Sequence, residues 1–134
     1  MSDRRADYVK HRMTELSEAA DNRSIPENET ILIQRTIRSG QKIQYSGHIV
    51  ILGDVNPGAE IIAGGNIMVL GSLRGIAHAG TIGDQLAVVA AFRLEPTQLR
   101  IADHITRAPD GETWHSQQPE VAMIKNGVVV IEKL

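Results

Sequence analysis

From Ile31 to Ala79 every sixth residue is apolar, in the order Ile31, Ile37, Ile43, Ile49, Val55, Ile61, Ile67, Leu73 and Ala79. A helix repeats at about 3.6 residues and a strand at every second one, so a step of six implies short extended sides joined by regular corners. A longer period lies over the first. Gly47-His48-Ile49-Val50-Ile51-Leu52-Gly53 returns 18 residues later as Gly65-Asn66-Ile67-Met68-Val69-Leu70-Gly71, and Ile31-Leu32-Ile33 stands 18 residues before Ile49-Val50-Ile51. Three sides of six make one coil. The chain therefore predicts an all-β fold, a parallel β-helix shaped as a triangular prism, whose coils share one core because none can bury its apolar residues alone. About four coils are expected, beginning near residues 29, 47, 65 and 83, with Ser39-Gly40, Ser46-Gly47, Gly53, Pro57-Gly58, Gly64-Gly65 and Gly71 at the corners.

After Ala79 the next core position holds Gln85, so a loop at residues 81–85 is expected to shift the register before an apolar strand resumes over 86–94. Leu99 and Ile101 complete the last side. Residues 103–119, polar and carrying Pro109-Asp110-Gly111 and Pro119, read as a long surface loop. Val121 to Ile124 and Val128 to Ile131 flank Asn126-Gly127, a strong hairpin signal, and this hairpin is expected to close an open end of the prism. At the other terminus Val9, Met13, Leu16 and Ala20 form a thin helical stripe, followed by a linker over 21–29. The organisation is thus an N-terminal helical and linker segment, 1–28, and a β-helix domain, 29–134.

Stacking at 18 turns outward residues into columns. Leu32, Val50, Met68 and Leu86 form one apolar column, and Gln34, Leu52, Leu70 and Val88 run beside it. One side of the prism is then apolar inside and out, which requires a cover. A second copy related by a two-fold axis is the simplest cover, making Leu32, Val50, Leu52, Met68, Leu70, Leu86 and Val88 a dimer interface. The alternative is coverage by the chain's own hairpin or N-terminal helix. Arg38, Asn56 and Arg74 also align, which sets two guanidinium-bearing positions about 10 Å apart beside Gly-rich corners, a geometry suited to carboxylates on a partner. By spacing alone the reading of ordinary solvated corner residues prevails. Lys42, Glu60 and His78 read as a cross-strand charge ladder.

An aromatic content of only 3% agrees with a narrow interior filled by Ile, Val, Leu and Ala. Fourteen basic and sixteen acidic residues leave a net charge of −2, so no global field argues for nucleic acid. The absence of cysteine excludes disulfides and thiolate metal sites, and no apolar run is long enough to span a membrane, so a soluble cytoplasmic protein is expected. His11, His48, His78, His104 and His115 show no metal-ligand spacing, and no phosphate-binding or dinucleotide motif, paired carboxylates or nucleophile triad appears. No enzyme, metal or cofactor is expected. The period of six also occurs in hexapeptide-repeat acyltransferases, but four coils are few for that reading.

Arg38-Ser39-Gly40-Gln41, Gly53-Asp54-Val55-Asn56-Pro57-Gly58-Ala59-Glu60, Ala63-Gly64-Gly65-Asn66-Ile67 and Leu73-Arg74-Gly75-Ile76-Ala77-His78-Ala79-Gly80 closely resemble, in order, the C-terminal domain of the septum site-determining MinC family. The resemblance covers about residues 30–132. It implies a right-handed β-helix that dimerises through one face and binds the ATP-bound, membrane-associated ATPase MinD, helping to target an inhibitor of FtsZ septal ring assembly. The R-S-G-Q motif for MinD maps onto Arg38, Ser39, Gly40 and Gln41, and the R-G-x-A-x-A-G motif onto Arg74, Gly75, Ala77, Ala79 and Gly80. FtsZ is implied as a further partner, and recruitment to the inner membrane surface would go through MinD rather than by direct insertion. Members of the family carry an additional N-terminal domain of about a hundred residues, which 1–28 is too short and polar to be, so the chain is expected to be a fragment or a short form. A polymerising β-helical scaffold of the bactofilin kind is the alternative from another class.

Overall fold

The computed structural model describes residues 29–107 and 116–134. The expected N-terminal helix, most of its linker and the Pro109-Asp110-Gly111 turn lie outside the described residues. Numbered in chain order, the strands are β1 (Thr30–Ile33), β2 (Lys42–Tyr45), β3 (His48–Ile51), β4 (Glu60–Ala63), β5 (Ile67–Leu73), β6 (Ile76–Ala79), β7 (Val89–Leu94), β8 (Gln98–Ile101), β9 (His104–Thr106), β10 (Glu120–Lys125) and β11 (Val128–Lys133). They form two sheets, β1-β3-β5-β7-β10-β11 and β2-β4-β6-β8-β9. Pairing is parallel from coil to coil, and the third side of the prism is held by single bridges, Ile37 to Val55 and Val55 to Leu73. This is the parallel β-helix that the six-residue step predicts.

The inward residues confirm the step. Ile37, Ile49, Val55, Ile61, Ile67, Leu73 and Ala79 are all fully buried. Ile31 and Ile43, in the first coil, are only partly buried, because no described strand pairs on their outer side. The opposite end is closed differently. β9 folds back antiparallel on β8, and β10 pairs antiparallel with β7 and then with β11. The hairpin turns at Asn126-Gly127, both at positive φ (52° and 79°), the conformation that Asn-Gly favours. It ends the parallel stack as expected, and it buries Ala122 against the core. A strand at His104–Thr106 replaces the start of the expected long loop, because the turn at Ala102 (φ 53°) returns the chain along β8.

The third coil departs from 18 residues twice. Coils one and two round their second corner with four-residue turns, Arg38 to Gln41 and Asn56 to Ala59, each closed by a hydrogen bond from the last N–H to the first C=O (2.9 and 3.0 Å). The third coil passes this corner on Arg74-Gly75 alone, so Glu60 pairs with Ile76 and Ile62 with His78. His78 therefore does not continue the column of Lys42 and Glu60, which itself forms as expected, with an ion pair at 3.7 Å. At the next corner the chain gains residues over 80–87, closed by Gly83 N–H to Gly80 C=O (2.9 Å) and Leu86 N–H to Asp84 Oδ1 (3.0 Å). The net advance is 22, from Ile67 to its partner Val89. The expected shift in this loop is present, but the columns beyond it need correction. Met68 is followed by Ala90, not by Leu86, which stands 69% exposed in the loop. Val88 lies before β7 and donates its N–H to Asn66 Oδ1 (2.8 Å), so it does not follow Leu70.

The loop and the β8–β9 turn enclose a shallow cleft of about 320 Å³ lined by His78, Gln85, Arg100 and Asp103 among others. His78 Nε2 (3.1 Å) and Arg100 Nε (3.0 Å) both bond the carbonyl of Ala102. Burial holds the His78 pKa below its ordinary 6.5, against the opposing pull of that carbonyl, with the Arg100 charge lowering it further and Glu60 acting the other way.

Two expectations follow. Ile49→Asp or Ile67→Asp places a charge among fully buried aliphatic side chains and should cost about 4 kcal/mol or more. A circular-dichroism melt like that of the wild type would refute the register. For His78 the unfolded chain binds the proton more readily than the native one, so stability is complete above about pH 6.5 and falls as pH drops through the depressed native pKa. His78→Gln should flatten the loss of melting temperature below about pH 6 relative to wild type, and parallel pH profiles would contradict this.

Candidate protein-binding corner and sheet face

The second corner is built by stacking one turn on another. Gly40 N–H bonds Gly58 C=O (3.0 Å), and Asn56 N–H and Glu60 N–H bond the carbonyls of Ile37 (2.9 Å) and Gln41 (3.0 Å) in the coil before. Both turns place glycine at positive φ, Gly40 at 83° and Gly58 at 87°, where a side chain is strained. Any Cβ at Gly58 would also collide with Ser39, so Ser39 lies flat against the turn beneath it. Below these two turns the third coil cuts across. Its Gly75 leaves no room for a Cβ against the Ala59 carbonyl, which is how the shorter path fits.

Arg38, Asn56 and Arg74 share one column as expected, since the flanking bridges align Ile37, Val55 and Leu73. Arg38 and Arg74 are exposed, and the pairing of Leu73 with Leu94 brings Glu95 next in the column. Fourth-coil contacts hold this step, with Thr97 N–H on Gly75 C=O (2.9 Å) and Thr97 Oγ1 on Arg74 C=O (2.7 Å). The structure separates the motif residues into two groups. Arg38, Ser39, Gly40, Gln41 and Arg74 reach the surface, whereas Gly75, Ala77, Ala79 and Gly80 are buried. Ala77, Ala79 and the two glycines therefore shape the corner and the core beneath the exposed residues.

Gln41 is not free at the surface. Its Oε1 accepts the Arg38 N–H (2.8 Å) and Arg35 Nη1 (3.1 Å). Arg35 escaped the column reading because the positions 18 and 36 residues on are Gly53 and Gly71, which leave no row of like side chains.

The outer face of the six-stranded sheet is apolar over most of its width. Leu32 is 53% exposed, Leu52 39%, Met68 45% and Phe92 51%, with Val50 and Leu70 half-buried between them. Ala90 and Phe92 occupy the places expected for Leu86 and Val88. The hairpin does not fold over this face. It extends the sheet edge, with the exposed Val128 and the half-buried Val121, Met123 and Val130 on the same side, beside an ion pair of Lys125 with Glu132. Among the described residues, no group of three or more His, Cys, Asp or Glu is arranged to hold a metal ion, and no helix is long and apolar enough to cross a membrane.

The architecture defines a class, the short parallel β-helix of four coils closed by a C-terminal antiparallel hairpin. Within that class, the family model described as the C-terminal domain of the septum formation inhibitor MinC matches residues 31–134, so the chain belongs to this family. The probable septum site-determining protein MinC of Heliobacterium modesticaldum is 62% identical over 107 residues, covering 80% of this chain and 37% of the relative. That of Symbiobacterium thermophilum is 53% identical over 107 residues, covering 80% of this chain and 46% of the relative. The chain thus spans less than half the length of these curated relatives. A chain from the MinC:MinD cell division protein complex of Aquifex aeolicus superimposes with a TM-score of 0.74 at 44% identity, over 80% of this chain and 87% of that one.

Proposed function

We propose that this chain is a non-enzymatic module of division-site selection that binds MinD through the corner of Arg38, Ser39, Gly40, Gln41 and Arg74, and pairs with a second copy through the outer face of its six-stranded sheet. The observation that carries the first half is the stacked corner itself. Two exposed arginines occupy positions two strand spacings, about 10 Å, apart on one ladder, in a chain 44% identical to part of a MinC:MinD complex. Family membership favours this reading over a polymerising scaffold. ATP-bound MinD then brings the module to the inner membrane surface from the cytoplasm, where its task is to help direct inhibition of FtsZ assembly.

Dimerisation rests on the continuous apolar sheet face. Leu32, Val50, Leu52, Met68, Leu70 and Phe92 form a flat strip that β-sheet twist alone does not hide, and an isologous pair buries it in one step. Because this strip lies on a sheet and the arginines on the far corner of the third side, one copy can engage both neighbours.

Co-sedimentation with MinD on lipid vesicles in ATP and in ADP tests the binding. Arg38→Ala should weaken recruitment by about 2 kcal/mol, roughly thirtyfold, while the melt stays within about 0.5 kcal/mol of wild type. Undiminished recruitment by Arg38→Ala would remove this corner from the interface. For the dimer, Val50→Lys with Met68→Glu puts two charges side by side on neighbouring strands, so the fold is kept while the strip is broken. Sedimentation equilibrium should report a folded monomer, and either an unchanged dimer or a monomeric wild type would refute the proposed face.

A further inference from the structure

We propose that Arg35 is an additional partner-binding cation at this corner and that Gln41 is a positioning residue for it and for Arg38. The proposal rests on the MinD-binding reading and goes inside it, to how the corner presents its charge. Gln41 and Arg38 are tied twice, by Gln41 N–H to Arg38 C=O (2.9 Å) and Arg38 N–H to Gln41 Oε1 (2.8 Å). The same oxygen accepts Arg35 Nη1 at 3.1 Å. A carboxamide oxygen has two lone pairs, and these two donors fill them. What Gln41 offers a partner is thus reduced to its amide N–H groups, while its oxygen fixes the turn and draws the Arg35 side chain onto it.

Arg35 is well placed to use that support. Its main chain is packed into the stack, because its carbonyl lies where a Cβ at Gly53 would be, and Leu52 N–H bonds Ile33 C=O (2.8 Å) just before it. The guanidinium spends one of its five donors on Gln41, leaving four. Among the described residues, neither Arg35, Arg38 nor Arg74 pairs with a carboxylate. Three arginines at this corner that have no carboxylate partner among the described residues match an acidic patch on a protein partner, with forked contacts to its carboxylates. Holding Arg35 against the turn before binding lowers the conformational entropy lost when it docks.

The test uses the full chain and ATP-bound MinD in solution, without lipid, with Kd measured at low and moderate salt. Arg35→Ala should raise Kd about five- to tenfold and flatten its salt dependence, with no change in the melt. Gln41→Ala should raise Kd by a similar factor but keep a salt dependence near that of wild type, since every charge at the corner remains. In the double variant the effects should not multiply, because much of the Gln41 effect acts through Arg35. Gln41→Glu keeps an acceptor for both donors, so the turn should hold, but its charge pairs with Arg35 and faces the acidic partner, so Kd should rise at least as far as in Gln41→Ala. Wild-type affinity in Arg35→Ala overturns the added cation. Multiplying effects overturn the positioning role and make Gln41 a direct contact. Amide exchange at Arg38 gives a readout without the partner, since it should speed up in Gln41→Ala and stay slow in Gln41→Glu. If wild type fails to bind MinD, the functional reading falls and Arg35's binding role with it, and the Arg38 amide alone then decides the positioning of the turn.

Discussion

The strands of each coil depend on the neighbouring coils for their backbone partners. β3, β4 and β5 each pair in parallel with a strand of the coil above and one of the coil below, so the strands are defined by register before they are defined by side chains. Where the ladder is interrupted at corners, side chains take over. His48 Nδ1 accepts the Asn66 N–H (2.9 Å), and Asp54 Oδ1 accepts the Ser72 N–H (2.8 Å), each across one coil. The same stacking makes the core one column of aliphatic side chains, with Ile49 and Ile67 directly above one another. It also explains the two unlike ends. The last coil is finished by antiparallel returns, whereas the first leaves Ile31, Ile33, Ile43 and Tyr45 only partly covered.

The surface chemistry follows from this scaffold. A sheet side four coils wide, extended by the hairpin, gives an area flat enough for association through apolar contact. A corner gives the opposite, a narrow ridge of turns on which charged side chains stand clear of the core. The ridge exists because the first two coils carry turn residues that the third lacks, and the third coil's Arg74 sits at the foot of that step. Rigidity comes from the main chain, through bonds such as Gly40 N–H to Gly58 C=O, and the side chains of Arg35 and Gln41 are then organised on it.

The core and the corner were legible in the sequence because both depend on spacing. Arg38, Asn56 and Arg74 precede the change in coil length, and their column survives intact. Leu86 and Val88 were assigned to the sheet face by the same spacing and fall off it, since the chain gains residues between Gly80 and Ala87 that periodicity has no means to place. Ala79 is the instructive case. It satisfies the six-residue step although its coil is two residues shorter than the step assumes, because removing two residues returns each side chain to the same side of a strand. The link of Gln41 to Arg35 leaves no pattern at all, being a contact between two side chains six positions apart around a turn.

That tolerance of even-numbered change has an evolutionary consequence. In a β-helix of this kind, insertions and deletions at a corner do not rewrite the interior provided they preserve strand polarity, as the shortened Arg74-Gly75 corner and the lengthened 80–87 loop both do. The outer relief can therefore be remodelled at corners alone, by gain or loss of residues that the turn absorbs, while the aliphatic stack is kept.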